Sequence, residues 1–175
     1  MDAVDARILA ILQDDGRISM RDLGAAVGLS GPAVAERVRR LEESGIVRGY
    51  RAVVAPARLG WQIGAFISVA LPDGRTPHEF EAYAAEAPEI LECHRITGDD
   101  CYLLRVALPD IATLETVLER IKRYGRTRTS ILLSSPVEGK RLLPTDGVES
   151  GSPTPPLSVG ARRNGRRGAK APAKS

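Results

Sequence analysis

A chain of 175 residues with 43% apolar and 27% charged side chains has room for one medium domain or two small ones. No apolar run approaches the roughly 20 residues a membrane helix needs, and Met-Asp-Ala-Val-Asp lacks the basic-then-apolar layout of a signal peptide, so a cytoplasmic protein with no membrane partner is expected. The net charge of +3 is unevenly spread, because six basic residues (Arg162, Arg163, Arg166, Arg167, Lys170, Lys174) crowd the last fourteen positions and the rest of the chain carries fewer bases than its 22 acids. Two cysteines, Cys93 and Cys101, are too few for a disulfide framework and do not face one another across the expected hairpin.

Asp2 to Gly16 predicts a first helix, with Val4, Ile8, Leu9, Ile11 and Leu12 on its apolar face and Asp2 and Asp5 at the end that favours acids. Ser19 is a good cap for a second helix that carries Met20, Leu23 and Val27 inward and stops at Gly28. Ser30 caps a third, with Gly31 and Pro32 in its first turn, Val34, Val38 and Leu41 as its buried stripe, and Gly45 at its end. Two short helices about a glycine turn, the second bearing arginines, form the pattern of helix-turn-helix DNA binding. From Arg37 to Arg58 six arginines face only Glu42 and Glu43, a local basic patch. Ile46 to Val54 alternates apolar and polar as a strand would, offering Arg48, Tyr50 and Arg51 as a wing. Pro56 to Gly60 then breaks the pattern.

Beyond that break the period changes. Strands are predicted over Ile63–Leu71, Ile90–Thr97, Tyr102–Leu108 and Arg128–Ser135, with helices over Thr76–Ala87 and Ile111–Tyr124. This order is the split βαβ, ferredoxin-like arrangement, so the expected fold class is α+β: a three-helix helix-turn-helix domain followed by a four-stranded sheet with two helices. The expected boundaries are 1–54 for the first domain, 55–61 for a linker, 62–143 for the second domain and 144–175 for a disordered basic tail. The tail reads either as a weak nonspecific DNA attachment or as a solubilising segment.

A helix-turn-helix followed by this second domain resembles the Lrp/AsnC family, the leucine-responsive or feast/famine regulators. The residues that carry the resemblance are Asp5-Ala-Arg-Ile-Leu, Asp15-Gly-Arg-Ile-Ser, Val27-Gly-Leu-Ser, Glu36-Arg-Val-Arg-Arg-Leu-Glu, Ile46-Val-Arg-Gly-Tyr, Glu92-Cys-His, Gly98-Asp and Tyr102-Leu-Leu. The resemblance implies a DNA-binding transcription regulator with no enzymatic role, dimerising through its sheets, often assembling into tetramers or octamers, and binding a small effector, usually an amino acid, between subunits. The matching effector loop is Gly98, Asp99, Asp100, Cys101 and Tyr102, with Thr129 and Ser130 as candidate partners; Cys101 stands where the family pattern has its second aspartate. An amino acid needs a carboxylate for its ammonium and donors for its carboxylate, which this set supplies.

For DNA, Ser30, Pro32 and Ala33 would approach base edges and Arg37 and Arg40 would touch phosphates, with Arg39, Arg48 and Arg51 in the same basic set. Glu36 reads as an intrahelical partner of Arg40 rather than a base reader, and Arg39 is spaced to pair with Glu42 or Glu43. Cys93, His94 and Cys101 match no metal motif, and no cofactor is expected. His78 is expected in solvent and Trp61 as a packing anchor. The alternative function, a tetrapyrrole-pathway decarboxylase of the same architecture, would need an acid–base cluster of His, Arg and Tyr, and none is visible.

Overall fold

The computed structural model describes residues 1–74 and 77–145; the expected tail beyond Thr145, with its six bases, and the start of the helix expected at Thr76 lie outside the described residues. The backbone divides into two compact units, Met1–Ile8 with Ser19–Arg48 and Leu9–Ile18 with Gly49–Leu143.

The first unit holds the opening half of α1 (Ala3–Asp14), α2 (Met20–Val27) and α3 (Gly31–Glu43). Its core is Ile8, Leu23, Val27, Val34, Val38 and Leu41. Both expected caps form: Ser19 accepts from the Asp22 amide at 3.1 Å and Ser30 from the Ala33 amide at 3.4 Å. Gly28 closes α2 at φ 77°, where a side chain would be strained. A second glycine shapes the turn less visibly. A methyl group on Gly24 would stand 2.7 Å from the Leu29 carbonyl oxygen, so only glycine lets the α2 backbone approach the turn this closely. α3 is capped by Ser44, one residue before Gly45 at φ 73°.

In the second unit the strands are β1 (Ile63–Ala70), β2 (Ile90–Arg95), β3 (Tyr102–Leu108) and β4 (Arg126–Ile131), with helices α4 (Pro77–Glu86) and α5 (Ile111–Lys122). The sheet order is β2-β3-β1-β4 and every pairing is antiparallel, the ferredoxin-like arrangement expected. Asp110 caps α5 by accepting from the Thr113 amide at 2.7 Å, which holds its carboxyl below the usual range. Ala65, Ile67 and Val69 of β1 join Tyr102, Leu104 and Val106 of β3 on the helix-covered face, where Phe80, Leu114, Val117 and Ile121 close the core. Burial of each such large side chain contributes about 2 kcal/mol, against ~0–1 kcal/mol for an exposed ion pair, so this core rather than the surface charges holds the unit together.

β1 ends at Ala70 rather than Leu71 and β2 at Arg95 rather than Thr97, and two further expected strands differ more. Ile46–Val54 forms no strand: among the described residues no neighbouring strand pairs with it, Gly49 turns the backbone to φ 141°, and Val53 is 96% exposed. Alternation marks a segment able to be a strand, but a ladder needs a partner for its amides and carbonyls. The last strand starts two residues earlier than expected and stops at Ile131, because the β1 register that it follows ends with Ala65 opposite Ile131. The expected break at Pro56–Gly60 is a single 3-10 turn, Pro56–Leu59, closed by Gly60.

Candidate nucleic-acid interface and effector loop

Ser30, Pro32 and Ala33 are all exposed at the start of α3, although the Ser30 hydroxyl is occupied by its cap. The arginines behind them are all engaged. Arg37 donates to Asp2 and to Asp5, each at 2.7 Å, and those two aspartates cap one another across the first turn of α1, with amide-to-carboxylate distances of 3.0 and 2.8 Å. The Asp5 amide bond and the Arg37 guanidinium hold the Asp2 carboxyl below the usual range, and Asp5 and Asp2 in turn raise Arg37. Arg37 was expected on a phosphate; here it ties α3 to the head of α1, a partnership 32 to 35 residues away in sequence.

Arg39 donates to Glu36 through Nε at 2.9 Å and Nη2 at 2.6 Å and also pairs with Glu43; Arg40 donates to the same Glu36 at 3.0 Å. The expected Glu36–Arg40 pair therefore forms, and Arg39 takes Glu36 and Glu43. The α3 part of the patch that looks basic in the sequence, Arg37, Arg39 and Arg40, is balanced in space by carboxylates from α1 and from α3 itself. Arg48 and Arg51 are exposed in the extended stretch after α3, Arg48 in the first unit and Arg51 in the second, and no ion pair of either is described. Tyr50 lies over Gly16, where a methyl would meet its ring at 3.1 Å, so its ring is a packing group as much as a wing residue.

In the second unit the effector loop turns at Gly98, φ 116°. Asp99 is exposed, while the Asp100 carboxylate is only 12% exposed and accepts from Arg128 of β4 at 2.6 Å. Sequence reasoning missed Arg128; the alternation of β4 places it with Ser130 on one face, which was the available signal. Tyr102 was expected at the effector, but it is 2% exposed, packs at 4.9 Å from Phe80, and donates its hydroxyl to Glu81 at 2.6 Å beneath Arg95. Its register opposite Val69, a core position, commits it to the helix-covered face. Thr129 pairs with Ile67 on that covered face and Ser130 with Phe66 on the open one, so the two do not converge on one ligand.

The open face carries Phe66 and Ser68 of β1, Leu103 and Arg105 of β3, and Glu92, which accepts from Arg105 at 2.9 Å. Cys93 aligns with Leu104 on the covered face and His94 with Leu103 on the open face, the opposed arrangement expected of neighbours on a strand. His78 is exposed and Trp61 half-buried.

Two family descriptions match the chain: the AsnC-type helix-turn-helix domain over residues 1–42 and the Lrp/AsnC ligand binding domain over 64–142. The chain belongs to the Lrp/AsnC family. It is a transcription regulator of that type, with a helix-turn-helix. Among its relatives, the HTH-type transcriptional regulator YezC of Bacillus subtilis is 38% identical over 77% of this chain and 95% of its own length. The leucine-responsive regulatory protein of Escherichia coli K12 is 37% identical over 82% of this chain and 91% of its own. A solved structure of a feast or famine regulatory protein from M. tuberculosis, complexed with L-methionine, superposes with a TM-score of 0.76 at 32% identity, covering 82% of this chain and 99% of that one. These Lrp/AsnC relatives are regulators, and the decarboxylase alternative finds no support among them. No helix of the described residues is long and apolar enough to cross a membrane.

The Arg37 tie makes a sign-specific prediction. Arg37→Ala is expected to lower the stability of the helical unit, since it removes the guanidinium that Asp2 and Asp5 share. A carboxyl depressed in the folded state stabilises above its unfolded pKa and stops doing so as pH falls through its folded value. The difference between wild type and variant, measured by chemical denaturation, should therefore be constant near neutrality and shrink only below the ordinary aspartate range. A difference that persisted unchanged in strong acid would assign Arg37 a packing role instead.

Proposed function

We propose that this Lrp/AsnC regulator is a cytoplasmic protein that grips double-stranded DNA by inserting the start of α3 into the major groove, Ser30, Pro32 and Ala33 toward base edges, with phosphates taken by Arg39, Arg40, Arg48 and Arg51. The observation that carries this reading is the free N-terminal end of α3, held by a glycine-tight turn against α2. Arg37, spent on Asp2 and Asp5, supports the position of α3 rather than a phosphate. Arg40, with a single carboxylate contact and 71% exposure, is the arginine of α3 most readily given to DNA.

The sheet-bearing part serves assembly and sensing in this reading. A half-buried apolar pair, Phe66 and Leu103, on a sheet face that no helix among the described residues covers favours a second copy of the chain, giving a homodimer and from it higher assemblies up to the octamer. The effector is a zwitterion such as an amino acid: Asp100 suits an ammonium and Arg128 a carboxylate at the rim of that face, with Gly98, Asp99 and Ser130 around them. The L-methionine bound by the M. tuberculosis relative supports that class. Effector contacts that differ between assembly states would change operator affinity by shifting those states.

Fluorescence anisotropy with duplex recovered from the protein's own genomic targets tests the DNA reading. Arg40→Ala should weaken binding about 5- to 50-fold, as expected for loss of a charged contact, with secondary structure unchanged; unaltered affinity would remove α3 from the interface. Light scattering tests the open face: Phe66→Glu should reduce the assembly toward single chains, and an unchanged mass would place the subunit contact elsewhere.

A further inference from the structure

Every arginine of α3 is matched to a carboxylate on its own unit, and one carboxylate serves two of them. Glu36 stands three residues before Arg39 and four before Arg40, so helical geometry brings both guanidinium groups to one side chain. It accepts two hydrogen bonds from Arg39 and one from Arg40. Those bonds, Arg39 first, hold its carboxyl at about 2, so it is ionised at any working pH. Glu43 reaches Arg39 alone. Glu36 also shares its concave surface with Asp2, Asp5 and Arg37, so the field met by an approaching phosphate there is mixed rather than basic.

We propose that Glu36 is an electrostatic gate: in the free protein it holds Arg39 and Arg40 on the helix, and only a duplex that seats α3 well enough to offer both guanidinium groups a phosphate releases them. Glu36 is a positioning residue that acts through the two arginines, and its consequence is specificity. Loosely docked DNA gains little, because each arginine must exchange a carboxylate for a distant phosphate, whereas well-docked DNA exchanges one anion for another at equal distance. Exposed pairs of this kind are weak enough to exchange yet strong enough to bias a side chain's direction. The inference rests on the DNA-binding reading above and assigns a distinct property to it.

The test compares wild type, Glu36→Gln and Glu43→Gln in full-length protein, by anisotropy on a random-sequence 30-bp duplex and on a duplex selected by the wild type from a randomised pool, across a salt series. Glu36→Gln should tighten binding to the random duplex by about threefold to tenfold and steepen the salt slope by about 1–2, one further phosphate contact contributing about 0.9. Binding to the selected duplex should tighten less, so the ratio between the two falls. Glu43→Gln should change each quantity by less than half as much. An equal effect from both variants would overturn the gate in favour of bulk charge, and weaker binding of Glu36→Gln to both duplexes would overturn it in favour of direct support of the helix or a base contact. Circular dichroism checks folding, and Glu36→Ala repeats the measurement should the glutamine variant lose helix. A wild type that binds neither duplex at low salt refutes the DNA-binding reading itself, whereas a binding wild type with an unresponsive Glu36→Gln refutes only the gate.

Discussion

Two aspartates at the head of α1 gripping one arginine in the middle of α3 add a directional tie to the apolar core of Ile8, Leu23, Val27, Val34, Val38 and Leu41 that packs the helical unit. Asp2 and Asp5 already satisfy one another's amides as a reciprocal cap, so their carboxylates are fixed before Arg37 arrives and little further ordering is needed to bind it. With α1 anchored, Gly24 and Gly28 set the close turn that presents the start of α3. Each element here does one thing: the aspartates hold, the glycines bend, and the exposed end of α3 is left to meet a partner.

The same chemistry explains why charge counted along the sequence misleads. An arginine that stabilises a fold is already paired, and a paired arginine offers less to a phosphate than a free one. On α3 the gradient runs from Arg37, held by two carboxylates and least exposed, through Arg39, to Arg40, which makes one contact. In the sheet, by contrast, the work is divided by face. Alternation sends Ile67, Val69 and Tyr102 beneath α4 and α5, and leaves Phe66, Leu103, Arg105 and Arg128 on the side without helices.

Local signals were legible and distant pairings were not. Ser19, Ser30 and Gly28 read directly as caps, because a cap depends on residues within one turn, and β3 has the predicted bounds because Tyr102–Leu108 alternates cleanly into a buried face. The pairing of Glu36 with Arg40 was equally local. The pairing of Arg37 was not legible because its partners lie at the other end of the helical unit, nor was the burial of Tyr102, which its register with Val69 decides. Thr129 and Ser130 were grouped although period-2 alternation already separates them. Ile46–Val54 shows the limit of pattern itself: the alternation is present, and the partner strand that would use it is not among the described residues.

The central claim is that α3, steadied by the α1 aspartates, is the surface that meets duplex DNA. Amide hydrogen exchange of the full-length protein with and without a 30-bp duplex at low salt tests it most directly. The account predicts slowed exchange in residues 28–43 on adding DNA, with the strands of the sheet unaffected. Slowing confined to the sheet, with α3 exchanging as fast as in the free protein, would contradict it.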